Sequence, residues 1–371
     1  MTTKFFDVVV IGAGPAGAIT AMQLSKAGLS VLVLDQFKDR PLGRTIETVS
    51  VGLGRALRAI SIDERLRTVN GMTAAEFRST WGTERLTHRG ALLTPDGTAC
   101  IVNRESFDQS IRVAACDAGA KLVCSAVSEL VWQTDHWRIR GPEVTVHARA
   151  VVDATGRTAK FARMAGAKLV VVDKLIAHYL LLAVSLVDEI GLVEVGATSN
   201  GWLFACTGTT GHKLLAYFRD GSDRAKSPAK ALSDAVDGST VFAKYSNRVS
   251  GSSIITHSAA LQMLDRAVGD GVIAVGDAAQ TWDPLSSHGM SRAVEDAVSA
   301  SEAILGVFKG QVEKLVDHEQ TRRLRFITHL KRRRDYYQIE QRWPRSPFWA
   351  ERHSNEALDI VGRYWCTASV S

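Results

Sequence analysis

Apolar and polar positions in this chain fall into blocks of two textures. F-F-D-V-V-V-I-G opens with an unbroken apolar run, the pattern of a buried strand. A Gly-rich turn and an Ala-rich stretch of helical length (A-G-A-I-T-A-M-Q-L) follow, and then a second apolar run, L-S-V-L-V-L-D, ends at Asp35. Val102 to Val127 reads as a helix with Arg104 at its start and a strand after it. The apolar texture returns in A-R-A-V-V-D-A-T-G-R (Ala148 to Arg157) and in V-I-A-V-G-D-A-A from Val272, where a Pro-containing loop leads to a helix beginning near His288 and Gly289. Strands alternating with helices predict a Rossmann-like α/β frame.

The second texture is different. From Thr73 to Ile101 and from Lys168 to Ser258, short β-prone runs such as Y-L-L-L-A-V-S-L-V and G-W-L-F-A-C alternate with turns, predicting an antiparallel sheet inserted into the frame. We place residues 1–72, 96–167 and 265–306 in the nucleotide-binding domain and 73–95 and 168–264 in a substrate domain. Residues 307–371 form a helical C-terminal region. The longest apolar run, Leu175 to Val187, is too short to span a bilayer. The first strand leaves no room before it for a secretory signal, so a soluble cytoplasmic protein is expected.

Composition adds little except at two points. The five cysteines are scattered and lack C-x-x-C spacing, so neither a disulfide framework nor a zinc site is expected. The net charge of +6 gathers in the C-terminal third, at Arg322 to Phe326 and His329 to Asp335. Such a basic helix serves as a solvated face or as a docking face for an acidic protein or membrane. No nucleic-acid-binding motif accompanies it.

The candidate chemistry begins at the first turn. Gly12, Gly14 and Gly17, with Ala13, Pro15 and Ala16 between them, spell G-x-G-x-x-G after a strand and before a helix. The acid that would hold adenosine ribose hydroxyls, Asp35, stands about 20 residues on, with Gln36 beside it. In the late block, Asp277 is placed to accept from polyol hydroxyls, and the free N–H groups around Ser287 to Met290 are placed to hold an anion or an electron-rich carbonyl.

Three blocks in order, G-A-G-P-A-G, V-V-D-A-T-G-R and V-G-D-A-A-Q-T-W-D-P-L-S-S-H-G-M, resemble the FAD-dependent monooxygenase, halogenase and reductase superfamily of the p-hydroxybenzoate-hydroxylase type. The resemblance implies FAD as cofactor. It implies that Arg104 holds the FAD phosphates and ribityl chain, that Val127 offers its backbone to adenine and that Asp277 binds the ribitol. Gly289 and Met290 would face the flavin pyrimidine edge, and Arg44 would supply a second phosphate or flavin contact. D-A-T-G and D-P-L-S-S-H-G look like the branch that modifies tryptophan. W-x-W-x-I-P of the halogenases is replaced by G-W-L-F-A-C-T, and Glu76 to Gly82 holds Arg78 but no lysine.

The group most similar comprises flavoproteins that mature cysteine tryptophylquinone enzymes such as quinohemoprotein amine dehydrogenase. That likeness implies a monooxygenase that hydroxylates, or dihydroxylates, a tryptophan of a partner polypeptide through a flavin hydroperoxide. It would use molecular oxygen and electrons from NAD(P)H or a separate reductase. Rival readings are a small-molecule aromatic hydroxylase, a halogenase, a polyprenyl reductase and a non-enzymatic docking protein. Glu47, Asp283 and His288 are the candidate catalytic residues, against plainer roles as a surface acid, a turn residue and a helix cap. Trp81, Trp202 and Trp282 are candidates to line the substrate slot, against a core role.

Overall fold

A computed structural model defines residues 4–37, 46–62, 71–90, 99–183, 190–208, 211–222, 227–249 and 251–365. Two sheets carry the architecture. In the first, β1 (Lys4–Ile11) pairs in parallel with β2 (Val31–Asp35), and α1 (Pro15–Lys26) connects them. A short strand, β3 (Ile46–Val49), lies in a separate three-stranded sheet. Beyond it, α2 (Arg104–Asp117) leads to β4 (Lys121–Cys124), which pairs in parallel with β2. On the other side of β1 lie β5 (Thr145–Asp153), parallel to β1, and then the strand at Val272–Ala274, parallel to β5. The unbroken apolar runs are explained by cover on both faces: Val8, Val9, Val10, Val33 and Val151 have no exposed surface.

The second sheet has seven strands and includes β6 (Leu175–Ala183), β7 (Gly201–Thr207) and β8 (His212–Asp220), so the longest apolar run is a strand. Its neighbours pair antiparallel, apart from Leu192–Thr198, which runs parallel to Glu76–Thr80. One face is covered by the helix Pro228–Asp237, which Ser227 caps by accepting from the Lys230 N–H. The other face turns toward the first sheet. With β9 (Val272–Ala274) closing the frame, α3 (Gly289–Phe308) and α4 (Glu313–Tyr337) complete it. The expected α/β frame, inserted antiparallel sheet and helical C-terminal region are all present.

The basic helix departs from a purely solvated or docking face. Along α4 the buried residues are His318, Arg322, Phe326, Leu330, Arg333 and Tyr337, one stripe at helical spacing. Two of the arginines therefore point inward. Arg322 is held by Glu319 (2.5 Å) and the Gln280 side chain (3.1 Å). Charge pattern alone hides this, because a buried arginine needs partners from distant segments. Among the described residues, no helix is long and apolar enough to cross a membrane, and no group of three His, Cys, Asp or Glu is placed to hold a metal.

Candidate functional site

A cavity of about 1270 Å³ runs between the two sheets, above the roughly 300–1,000 Å³ of ordinary ligand pockets. Its first end is built by backbone. Gly12 sits at φ +110, and a Cβ there would collide with the Ala154 carbonyl; a Cβ on Gly17 would collide with the carbonyl of Gly12. Only glycine permits that close turn. Gly14 is different, since a Cβ there would meet nothing within 4 Å, which leaves its face open to a ligand at the start of α1. Asp35 ends β2 with its carboxylate pinned by two backbone donors, the N–H groups of Ala13 (2.5 Å) and Phe37 (2.7 Å). Both oxygens keep further lone pairs for hydroxyls. Ala13, Pro15, Ala16 and Gln36 line the same end.

Arg104 begins α2 and donates to Glu47 Oε1 at 2.7 Å and to Asp108 Oδ1 at 3.3 Å. Val127 lines the cavity with its carbonyl held by Lys160 Nζ at 2.9 Å. The D-A-T-G block earns its place through Asp153. This fully buried carboxylate accepts from the N–H groups of Thr155, Phe161 and Ala162 and from the Thr155 hydroxyl, so it fixes the loop that carries Arg157 and Lys160 into the cavity.

At the other end, the turn after β9 presents Asp277, half-buried and on the cavity wall. The turn is held by Asp296 of α3, whose carboxylate accepts from the Gly276 N–H at 2.7 Å. Gly289 and Met290, at the start of α3, also line the cavity. Their N–H groups belong to the first helical turn and lack intrahelical acceptors. Ser287, with a left-handed φ of +51, ties this loop to β3: its carbonyl accepts from the Ser50 N–H (3.0 Å), and its hydroxyl lies 2.9 Å from that of Thr48. Glu47 is thereby carried on the cavity side of β3. A backbone cradle for a pyrophosphate, two separate acids for two polyols and a helix N-terminus for an anionic ring edge fit the chemistry of FAD in the right order. Arg44 lies outside the described residues.

The remaining predicted residues divide. Trp202 and Trp282 line the cavity, and Trp202 stacks on Phe218 across the β7–β8 pair (3.9 Å between centroids, 12° between planes). Trp81 is not part of the cavity wall. It sits behind Trp202, edge-on to Tyr337 and Trp349, and donates to the Tyr336 carbonyl, so its role is packing. His288 precedes α3 without lining the cavity, and burial lowers its pKa, which keeps the ring neutral.

Asp283 lines the cavity but is 2% exposed, and donors surround its carboxylate. Arg333 Nε donates to Oδ2 at 2.7 Å, the Leu285 N–H to Oδ1 at 3.0 Å, and the Tyr337 hydroxyl lies 3.3 Å from Oδ2. Its oxygens are committed to holding this loop and helix α4 together. Sequence reasoning missed Phe218, Tyr179, Arg333 and Tyr337. Tyr179 opens the β-prone run Y-L-L-L-A-V-S-L-V and Phe218 lies in the same stretch from Lys168 to Ser258, but nothing in the sequence marks which face each takes.

Comparison with known proteins agrees with this geometry. The FAD binding domain family matches residues 6–334. LodB of Marinomonas mediterranea, described as an FAD-dependent oxidoreductase, is 26% identical over 95% of this chain and 98% of its own. Digeranylgeranylglycerophospholipid reductase 2 of Methanococcoides burtonii is 24% identical over 85% of this chain and 79% of its own. Among solved structures, the peptidyl tryptophan dihydroxylase QhpG superposes with a TM-score of 0.79 at 23% identity, covering 94% of this chain and 79% of that one. The myxobacterial chondrochloren halogenase CndH gives 0.81 at 19% identity, covering 98% and 91%. With the family match spanning most of its length, the chain belongs to the FAD-binding-domain family and is a flavoprotein oxidoreductase with FAD as its cofactor.

Proposed function

We propose that this enzyme hydroxylates a tryptophan side chain of a partner polypeptide, with maturation of a tryptophylquinone cofactor as the purpose. One observation carries the reading. The cavity continues past the FAD cradle to aromatic residues, Trp202 stacked on Phe218 with Tyr179 edge-on to Phe218, which line the same cavity as the helix start at Gly289 and Met290. Such a wall suits an indole ring. Full-length similarity to LodB and the fold shared with a peptidyl tryptophan dihydroxylase support it. Bound FAD, reduced by NAD(P)H or a reductase, supplies the oxygen-activating chemistry.

The chain's own residues then have separable roles. The aromatic wall orients the ring and excludes water. Glu47 takes the proton from the hydroxylated carbon: it faces the cavity, and Arg104 engages one of its oxygens. Asp283 and His288 position the loop and the helix start. Halogenation is disfavoured on this geometry. Arg78 forks onto Glu76 (2.9 and 3.0 Å) and does not line the cavity, and the one lysine that does, among the described residues, is Lys160 at the adenine end.

The test is mass spectrometry of a tryptophan-containing partner peptide after incubation with holoenzyme, reductant and ¹⁸O₂. A gain of one or two labelled oxygens on tryptophan is the expected result. Label appearing in small aromatic compounds and never in peptide would overturn the reading. Glu47→Gln is expected to lower the labelled yield about 100-fold while FAD binding persists.

A further inference from the structure

Helix α4 meets the cavity wall through four buried polar side chains that none of the residues assigned to the cofactor explains. Arg333 and Tyr337 stand one turn apart on α4. Arg333 donates Nε to Asp283 and Nη2 to Asp173, both at 2.7 Å, and all three side chains are at most 5% exposed. Asp173 sits where the chain crosses between the two sheets. Its Oδ1 accepts from the N–H of Leu175 (3.2 Å), at the entry to β6, and from the N–H of Leu261 (2.9 Å), on the return. The Tyr337 hydroxyl faces Asp283 and accepts from the Trp202 indole N–H at 3.0 Å. Arg352, buried with its guanidinium 5.9 Å from the Tyr337 ring, donates to the Phe348 carbonyl at 3.0 Å.

We propose that Arg333 and Tyr337 form a clamp that sets the distance between the flavin-edge loop at Asp283 and the aromatic wall at Trp202, and so are positioning residues for the reaction. Each of the three parts it joins comes from a different segment: the neck between the sheets, the loop before α3, and β7. Stability alone is a weak reason to keep such a cluster, since buried ion pairs commonly give no net stabilisation over apolar packing of the same volume. What they do provide is a narrow geometric minimum, because forked donors in a low-dielectric interior lose most of their attraction when displaced. The clamp rests on the FAD-binding frame and not on the identity of the substrate.

The experiment uses holoprotein and two readouts that need no substrate: visible circular dichroism of bound FAD, and amide hydrogen exchange of peptides covering Leu175, Leu261 and Leu285. Tyr337→Phe removes the hydroxyl between Trp202 and Asp283 with little change of volume. It is expected to alter the flavin dichroism while FAD affinity stays within roughly threefold of the parent, since no clamp atom belongs to the nucleotide cradle. Trp202→Phe should give the same spectral change, and the double variant no more than either alone. Arg333→Lys keeps the charge but cannot span both acids. It is expected to speed exchange on the order of 10-fold at Leu285 or at the Leu175 and Leu261 pair, with the other site retained. A Tyr337→Phe spectrum identical to the parent's would overturn the clamp. So would an Arg333→Lys protein that loses thermal stability while all three peptides keep parental exchange.

Discussion

Two aspartates mark the two ends of one cavity, and they work in opposite ways. Asp35 is held by two backbone N–H groups, that of Ala13 in the Gly-rich turn and that of Phe37 two residues on, and offers its remaining lone pairs to the cavity. Asp283 is held by side chains arriving from α4, some 50 residues away, and turns its carboxylate into the protein. The nucleotide end is thus made by backbone groups around a ligand, and the ring end by side chains of a distant helix around nothing but protein. A ligand site can be assembled from either, but the two fail differently when altered.

The largest expected effect is at the nucleotide end. Gly17→Val forces a side chain into the Gly12 carbonyl, so we expect loss of bound FAD and destabilisation of about 3 kcal/mol, read from the visible spectrum and from urea unfolding. Next comes the direct contrast. Asp283→Asn leaves Arg333 short of a buried counter-charge and is expected to cost on the order of 3 kcal/mol of stability. Asp35→Asn is expected to weaken FAD binding about 10-fold and to change the apoprotein's stability by under about 1 kcal/mol. If the two substitutions gave the same pairing of losses, the contrast between the ends would collapse.

Acid should act on the ring end first. Burial lowers the pKa of His329, beside Asp283, to about 4, against about 6.5 when unfolded. Burial lowers His178, on β6, to about 4 as well. The unfolded chain therefore binds more protons between these values, so stability is full above pH 6.5 and is lost as pH falls toward 4, by about 1 kcal/mol per pH unit per histidine. The carboxylates held low, Glu76 and Glu319 at about 2, contribute stability that is full above about pH 4.5 and is lost only as pH falls from there toward 2. A melting temperature flat from pH 7 to 5 would contradict this. The smallest effect is expected from Trp81→Phe, under about 1 kcal/mol with FAD affinity unchanged, against a clear spectral change from Trp202→Phe.

The same division explains what could be read from sequence. The frame, the cofactor and the glycine turn were readable because each belongs to one strand–turn–helix–strand unit with fixed spacing: Gly12 and Gly17 contact each other, and Asp35, at the end of the next strand, bonds Ala13 and Phe37. Trp202 and Trp282 were placed on the cavity, but Trp81 was not separable from them. All three occupy β-prone or loop positions, and only the tertiary packing of Trp81 against Tyr337 and Trp349 sets it apart from the cavity wall. Arg333 looked like one more charge in K-R-R-R. Its partners Asp173 and Asp283 lie 160 and 50 residues away, and no local pattern carries that information.

One joint has a consequence for inheritance as well as for chemistry. Apart from two edge strands, the whole antiparallel sheet leaves and rejoins the frame beside a single carboxylate, Asp173. A module hung from one point can be exchanged without redesigning its host, and proteins sharing this fold carry such unlike names as reductase, halogenase and hydroxylase. For an engineer, the graft to transplant is therefore residues 168–264 with the strands Glu76–Thr80 and Thr87–Gly90 that complete the sheet, together with the helix turn that bears Arg333 and Tyr337. A sheet moved without that turn would arrive folded but unaimed.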